Sequence, residues 1–215
     1  MQKMGIVGGT FDPVHWGHLL VAECALNQVD LEQVIWVPTP CPHYKQATKF
    51  AHRLEMVQKA IADHPKFAIS PIAATHSASS YAIQTLIELR STYPNTQWYW
   101  ILGLDAFQTL PRWYRRQELV LECEWLVAPR LVSPALEGYK IAGMIDESQL
   151  IGEQVAQRLI LQGMTIRWQL LHMPLVGISS RWIRQYCRDR HSIRYLVPEA
   201  VRIYIATHNL YSERS

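Results

Sequence analysis

The chain has few cysteines and no long apolar run. Its four cysteines show no C-x-x-C spacing, which argues against a disulfide framework and a cysteine-based structural zinc site. No apolar segment approaches the roughly 18 residues that a membrane crossing needs. Residues 1–4 lead directly into an apolar strand pattern, without the features of a signal peptide. We therefore expect a soluble, cytoplasmic protein with reduced thiols and no membrane partner.

The chain also lacks strong net charge, internal repeats and low-complexity segments. A formal net charge of +3 is too small to indicate a nucleic-acid partner, although basic residues cluster at 112–116 and 181–194. Such local clusters favour a small anionic ligand. The 215 residues suffice for one sizeable core. We expect a single domain over residues 1–215, with a variable excursion around 129–162, and the sequence is compatible with a homo-oligomer.

Strand and helix patterns alternate along the chain. Short apolar runs predict strands at 4–7, 34–37, 67–69, 98–102, 125–127 and 165–171. Helical periodicity predicts helices at 16–28, 53–62, 81–90, 115–123 and 153–162, with a less regular stretch between 129 and 148. A serine cap precedes a further helix that ends near residue 188, and Pro198 opens a last one. The alternation predicts a Rossmann-like, doubly wound α/β fold with a parallel sheet and C-terminal helices.

The stretch GGTFDPVHWGH, residues 8–18, follows the first predicted strand. Ligands of parallel α/β sheets bind where the chain leaves such a strand for its helix. Gly8 and Gly9 leave backbone N–H groups uncovered, and the following helix adds a partial positive charge at its N-terminus. The spacing fits neither the dinucleotide fingerprint nor the Walker loop. The stretch therefore predicts a phosphate cradle of another kind.

Two histidines of this stretch, His15 and His18, lie three positions apart at the predicted helix start, so both rings can face one ligand. Gly17 between them leaves room for a flat base or sugar. Two alternatives remain, namely a zinc site completed by Cys41 or His43, and a purely structural turn. Phosphate binding is favoured because no H-E-x-x-H or C-x-x-C frame accompanies the pair, and two histidines beside two glycines are unusual in a core.

In its full form, this stretch resembles the signature of the HxGH nucleotidylyltransferases, in particular the bacterial nicotinate mononucleotide adenylyltransferases. Further segments resemble that family in the same order along the chain. They lie at 53–57, 80–81 with 85–86, 103 and 105, 110–113, 178–180 with 183–184, and 192–198. The resemblance covers nearly the whole chain and is weakest at 129–162.

The resemblance implies transfer of AMP from ATP to the 5′-phosphate of nicotinate mononucleotide, giving nicotinate adenine dinucleotide and pyrophosphate in NAD biosynthesis. A phosphate monoester has a second pKa of about 6, so the acceptor is mostly dianionic at neutral pH and needs no general base. The enzyme must instead supply alignment and positive charge around the α-phosphorus. Mg²⁺ is expected as the cofactor that accompanies ATP, with no protein-bound metal.

The resemblance also implies which residues form the site. His18 would donate to the α-phosphate, His15 would hold the phosphates, and Arg184 would reach the β- and γ-phosphates. Without that context, Arg184 reads as a solvated charge on a helix surface. The expected ATP-binding residues are Gly8, Gly9, Thr10, Phe11, Lys45, Gly103, Asp105, Ile178, Ser179 and Ser180. The expected acceptor-binding residues are His43, Tyr44, Ser80, Tyr81, Thr85 and Trp113.

Several of these assignments have alternatives. The family's P-x-x-x-P-P-H-K loop is Pro-Thr-Pro-Cys-Pro-His-Tyr-Lys at 38–45, so either His43 or Tyr44 takes the place of the family histidine before Lys45. The family's S-Y-T and I-S-S-T each lose a hydroxyl here, at Ala82 and Arg181. Asp105 could cap a helix instead of binding ribose. Trp113 could be a core residue instead of a platform for the pyridine ring.

Rival functions come from two classes. Among enzymes, the acceptor could be nicotinamide mononucleotide or, more remotely, phosphopantetheine. The sequence separates nicotinate from nicotinamide poorly, because the choice depends on which backbone donors face the group at position three of the pyridine ring. Outside the enzymes, the chain could be a nucleotide- or RNA-binding module without catalysis. The retained histidines and Arg184, and the lack of an RNA-binding motif, favour the enzyme.

Overall fold

A computed structural model describes residues 1–40, 47–70, 81–130 and 141–212, and for 141–146 the backbone alone. Within these ranges, six parallel strands form one sheet in the order β3-β2-β1-β4-β5-β6. The strands are β1 Gln2–Gly9, β2 Gln33–Pro38, β3 Phe67–Ile69, β4 Thr96–Gly103, β5 Cys123–Ala128 and β6 Trp168–Leu170. The expected parallel, Rossmann-like sheet is confirmed.

The helices are α1 Trp16–Gln28, α2 Phe50–Ile61, α3 Ala82–Thr92, α4 Leu104–Thr109, α5 Arg116–Glu122, α6 Ile141–Ile160, α7 Ser180–Arg188 and α8 Glu199–Thr207. A short 3₁₀ turn, Leu110–Arg112, follows α4. Of the described helices, none has the length and apolarity that a bilayer crossing requires.

The middle strands are apolar on both sides because helices cover both faces of the sheet. In β1, Ile6 pairs with Ile35 of β2 and with Trp100 of β4. One face packs against α1, α2, α7 and α8, and the other packs against α3, α4, α5 and α6. Since alternate residues of a strand point to opposite faces, Ile6 and Val7 of β1 belong to different cores.

Most element boundaries differ from the expected ones by one to three residues, and two elements differ for clear physical reasons. The stretch expected to be irregular up to residue 148 is helical from Ile141, because α6 runs without a break to Ile160. Gly143 lies in its first turn, and a single glycine costs a helix only about 1 kcal/mol, which the packing of Val155 and Leu159 against the core outweighs. The last strand is short because β6 lies at the sheet edge and pairs only with residues 125–127 of β5.

Candidate active site

The sheet changes direction of winding between β1 and β4, which are neighbours although they are far apart in sequence. In such sheets the crevice outside the carboxyl ends of the strands, at this reversal, is the place where ligands bind. Gly9 ends β1, Pro38 ends β2 and Gly103 ends β4, so all three lie along this edge. The candidate site is built from the segments that leave these strands.

The loop after β1, residues 8–15 and here called the motif loop, turns at Phe11, which has a positive φ of 49°. The Phe11 ring is buried and meets the His18 ring edge-on, with centroids 5.1 Å apart. A Cβ on Gly9 would lie 3.0 Å from the Phe11 ring, so any larger residue there would push against this ring. A Cβ on Gly8 would meet only Trp100, at an ordinary 3.8 Å, so packing does not require a glycine there.

His15 caps α1, and His18 lies in its first turn. The two rings are stacked, with centroids 3.7 Å apart and planes 21° from parallel. The backbone N–H of His15 donates to Nδ1 of His18 at 3.2 Å. Because that nitrogen accepts, a neutral His18 carries its proton on Nε2, where it can donate to a ligand.

Burial determines the charge of this pair. Desolvation lowers the pKa of His15 from 6.5 to about 4. Desolvation, and secondly the charge of His15, lower the pKa of His18 well below its usual value. Both imidazoles are therefore neutral at pH 7 in the unliganded protein, and they act as hydrogen-bond donors and acceptors and not as cations.

Gly17 has a different neighbour from the one expected. A Cβ at this position would lie 3.0 Å from both Cε1 and Nδ1 of His15, and 3.8 Å from the Ile178 carbonyl oxygen. The missing side chain thus gives room to the His15 ring itself, where the sequence suggested room for a base or sugar. Gly17 supports the geometry of the histidine pair.

Helix α7 lies against the motif loop at its N-terminus. Ser179 is the N-cap, and its hydroxyl accepts from the backbone N–H of Trp182 at 3.3 Å. The Ser180 hydroxyl donates to the Pro13 carbonyl oxygen at 2.8 Å. Arg184 Nη1 donates to the Asp12 carbonyl oxygen at 2.6 Å, and the Arg184 side chain is only 30% exposed. The alternative of a solvated surface charge is therefore wrong for Arg184.

Asp12 connects three segments, a role that the sequence did not reveal. Its side chain is buried, and Oδ1 accepts from the Tyr211 hydroxyl at 2.7 Å while Oδ2 accepts from the Thr48 backbone N–H at 3.2 Å. Its backbone carbonyl is the acceptor for Arg184. No local spacing could have indicated the contact with Tyr211, because 199 positions separate the two residues.

Arg53 is a second residue whose role was missed. It is 1% exposed, and its guanidinium donates to the carbonyl oxygens of Thr10 at 2.7 Å, Pro40 at 2.9 Å and Thr48 at 2.9 Å. It therefore ties the motif loop to residues on both sides of segment 41–46. A signal for this role existed in the sequence, because Arg53 lies on the apolar stripe of α2 that contains Met56 and Val57.

The expected acceptor-binding residues that are described lie on α3 and beyond the 3₁₀ turn. Tyr81 is the N-cap of α3, and its ring centroid is 4.7 Å from that of Tyr114. Thr85 is buried on α3. The half-buried Trp113 donates its indole N–H to Thr109 Oγ1 at 2.8 Å and packs edge-on against Trp100 and Trp125, which fixes the ring's orientation.

Gly103 and Asp105 lie at the end of β4. Gly103 is the N-cap of α4, so the alternative that Asp105 caps this helix is wrong. Asp105 lies in the first turn with an exposed carboxylate that forms an ion pair with Arg130. Among the described residues, nothing lies within 4 Å of a Cβ built on Gly103, so their packing does not require a glycine there.

Four expected site residues, His43, Tyr44, Lys45 and Ser80, lie outside the described residues, as does Cys41. The zinc alternative thus has only His15 and His18 within the described part of the chain. There, no three histidine, cysteine, aspartate or glutamate side chains group as metal ligands. Of the expected site residues, the structure brings together the histidine pair, the motif loop, the start of α7 and Arg184.

Comparison with known proteins adds the following. The profile of the cytidylyltransferase-like family matches residues 6–186. The chain is 57% identical over 215 residues to a probable nicotinate-nucleotide adenylyltransferase of Trichormus variabilis, covering 100% of both chains. It is 46% identical over 214 residues to a protein of the same name from a Synechococcus strain, covering 98% of this chain and 97% of that one.

Among solved structures, the chain is similar to the Plasmodium falciparum nicotinic acid mononucleotide adenylyltransferase complexed with NaAD. The TM-score is 0.73 at 22% identity, with 100% of this chain and 99% of that chain covered. The same parasite protein complexed with APC gives a TM-score of 0.73 at 21% identity, with the same coverage. At these identities the likeness shows the fold.

Proposed function

Because this chain belongs to the cytidylyltransferase-like family, we propose that its site at the sheet reversal transfers AMP from ATP to nicotinate mononucleotide, releasing pyrophosphate. The product is nicotinate adenine dinucleotide, and the chain is a nucleotidyltransferase of NAD biosynthesis. One observation carries the proposal, namely the 57% identity over the full length to a relative named for this reaction. The association of His15, His18 and Arg184 around the motif loop supports it.

The acceptor phosphate attacks the α-phosphorus of ATP, and the bond to the β-phosphate oxygen breaks. Because the attacking oxygen is already ionised at neutral pH, the site needs no base. The neutral histidines agree with this chemistry, since a buried pair with lowered pKa values donates hydrogen bonds without taking a proton from the nucleophile. We assign the Nε2–H of His18 to a non-bridging oxygen of the α-phosphate, where charge accumulates.

The leaving pyrophosphate faces the start of α7. The backbone N–H groups at this helix start, together with the partial positive charge of the helix N-terminus, favour phosphate binding. Arg184 adds a full positive charge one turn into the helix. We assign the β- and γ-phosphates to this helix start and Arg184, with Ile178, Ser179 and Ser180 beside the nucleotide. Gly8, Gly9, Thr10 and Phe11 supply backbone on the other side of the phosphates.

Mg²⁺ fits this site as part of the substrate. It takes oxygen ligands and usually stays on the phosphates with water and one or two carboxylates. The buried carboxylate of Asp12, in the motif loop, already accepts hydrogen bonds from the Tyr211 hydroxyl and the Thr48 backbone N–H. We therefore propose that ATP brings Mg²⁺ with it, where it neutralises charge on the leaving pyrophosphate.

The acceptor belongs on the side of α3. We propose that Tyr81, Thr85 and Trp113 receive the nicotinate ring and ribose, together with Ser80 and either His43 or Tyr44. Lys45 is assigned to a phosphate, and Gly103 and Asp105 to the nucleotide at the end of β4. We also propose one domain over residues 1–215 and a cytoplasmic location, and the family match across 6–186 supports the single domain.

A pyrophosphate-release assay tests the function. With Mg²⁺ and ATP, we expect a higher kcat/KM for nicotinate mononucleotide than for nicotinamide mononucleotide or phosphopantetheine. A preference for the amide would contradict the substrate assignment. If no acceptor releases pyrophosphate, the chain is a binding module and not an enzyme.

The role of His18 is tested by His18→Ala. We expect a folded variant whose turnover falls by about 10²–10³, the loss typical of one donor to a developing oxyanion. His208→Ala, which removes an exposed histidine at the end of α8, is the matched control. Turnover of His18→Ala within threefold of the control would remove His18 from the mechanism.

A further inference from the structure

The segment after α8 returns to the motif loop. Its last part, Leu210 and Tyr211, packs against the core that also contains Phe11. Both Asn209 and Tyr211 have positive φ values, of 50° and 65°. For a bulky aromatic residue the left-handed conformation is unusual and unfavourable. Tyr211 adopts this conformation at the position where its hydroxyl donates to the Asp12 carboxylate at 2.7 Å.

Asp12 is the junction on which this hydroxyl acts. The other carboxylate oxygen accepts from the Thr48 backbone, and the Asp12 carbonyl accepts from Arg184. Arg184 Nη1 also forms a long ion pair, at 4.0 Å, with the carboxylate oxygen Oδ2. The guanidinium therefore lies between two acceptors of one residue, and it bonds to the neutral carbonyl while the charged carboxylate is nearby.

The Tyr211 hydroxyl explains why Arg184 donates its short hydrogen bond to the Asp12 carbonyl oxygen and not to the carboxylate. A buried carboxylate needs donors, and a charge-assisted bond to Arg184 would be stronger than the bond to a carbonyl. The neutral phenol and the Thr48 amide satisfy the carboxylate without using the arginine. Burial, and then the adjacent Asp12 charge, raise the pKa of Tyr211 far above its usual value, so the phenol remains a donor at all working pH values.

We propose that Tyr211 is a positioning residue for nucleotidyl transfer, whose hydroxyl satisfies the Asp12 carboxylate and so keeps the ion pair between Arg184 and that carboxylate long, at 4.0 Å. Arg184 then remains available to the phosphates of ATP. This inference rests on the proposed function and adds to it a residue far from the phosphate-binding segments in sequence. Without the hydroxyl, the guanidinium turns towards the carboxylate, and the leaving pyrophosphate loses its cation.

The test is Tyr211→Phe, which removes only the hydroxyl. We expect kcat/KM for ATP to fall about tenfold, the effect of one displaced charge-assisted contact, while KM for nicotinate mononucleotide changes less than twofold. Tyr93→Phe is the matched control, because Tyr93 lies beyond α3, at the end away from the site, and meets Trp98 through its ring. Circular dichroism melting checks the folding of each variant.

A double-mutant cycle separates positioning from structural support. If Tyr211 acts through Arg184, Tyr211→Phe should cost less than threefold in an Arg184→Gln background, because glutamine carries no charge that the carboxylate could attract and the two losses are then coupled. If Tyr211 had only a structural role, the fold-losses in kcat/KM of the two single variants would multiply in the double variant. The proposal is overturned if the losses multiply, or if Tyr211→Phe lowers only the melting temperature and keeps its kcat/KM for ATP.

If Tyr211→Phe does not fold alone, the comparison is made in an Asp12→Asn background, where no carboxylate charge remains to attract Arg184. There the exchange should cost less than threefold, and a tenfold loss would overturn the proposal. An inactive wild-type chain would contradict the proposed function itself. An active wild type with an unaffected Tyr211→Phe variant contradicts this inference alone.

Discussion

The neutral histidine pair predicts a specific loss of stability in mild acid. His15 is buried with its pKa lowered from 6.5 to about 4. Between these two pH values the unfolded chain binds a proton at this residue and the folded chain does not. The free energy of unfolding must therefore fall as the pH drops from 6.5 towards 4, and it is unaffected by His15 above pH 7.

The magnitude follows from the pKa difference. Each pH unit in this window costs about 1.4 kcal/mol for one proton, so His15 removes about 2 kcal/mol at pH 5 and about 3 kcal/mol at pH 4. His18 adds to the loss in the same direction, since its pKa is also lowered. The free energy of unfolding of a typical domain is roughly 5–15 kcal/mol, so this loss is a large fraction of it.

The assay is urea unfolding, followed by fluorescence, at pH 7.5 and pH 5. Carboxylates and other histidines also titrate, so wild type is compared with His15→Asn, because asparagine is a favourable residue at a helix N-cap and does not titrate. We expect the wild type to lose about 2 kcal/mol more than this variant between the two pH values. His208→Asn controls for removing an exposed imidazole. Equal losses for wild type and His15→Asn would refute the reasoning.

Three further changes test the supports of the site. In Gly17→Ala, the new Cβ lies 3.0 Å from the His15 ring and should displace the histidine pair; we expect turnover to fall at least about tenfold, and wild-type pyrophosphate release would contradict this. Arg53→Met leaves three carbonyl oxygens without this donor, and we expect urea unfolding to show a loss of about 2–4 kcal/mol. A loss below about 0.5 kcal/mol would mean that other donors replace it. Ser179→Ala removes the cap of α7 and should cost about 1 kcal/mol in the same assay, whereas an unchanged midpoint would show that the cap is dispensable.

Local patterns determined the elements and the place of the site. The helix Trp16–Gln28 and the strand Phe67–Ile69 match their predicted bounds, because apolar periodicity and capping residues act over a few positions. A serine cap was also expected for α7, and the structure shows that the capping residue is Ser179. Boundaries failed where long-range packing decides, as in α6, whose first turns continue a helix that the core holds.

Within the site, local spacing determined the histidine pair, since rings three positions apart at a helix start must be neighbours. Arg184 of α7 was indicated only by the resemblance to the family, because its contact with Asp12 joins residues 172 positions apart. The supporting residues were decided only by the tertiary structure. Packing buries Arg53 beneath both flanks of segment 41–46, and it brings Tyr211 to Asp12 from 199 positions away. The apolar stripe of α2 indicated that Arg53 would be buried, but no short-range pattern specifies these contact partners, because they meet only after α2 and α8 have packed against the sheet.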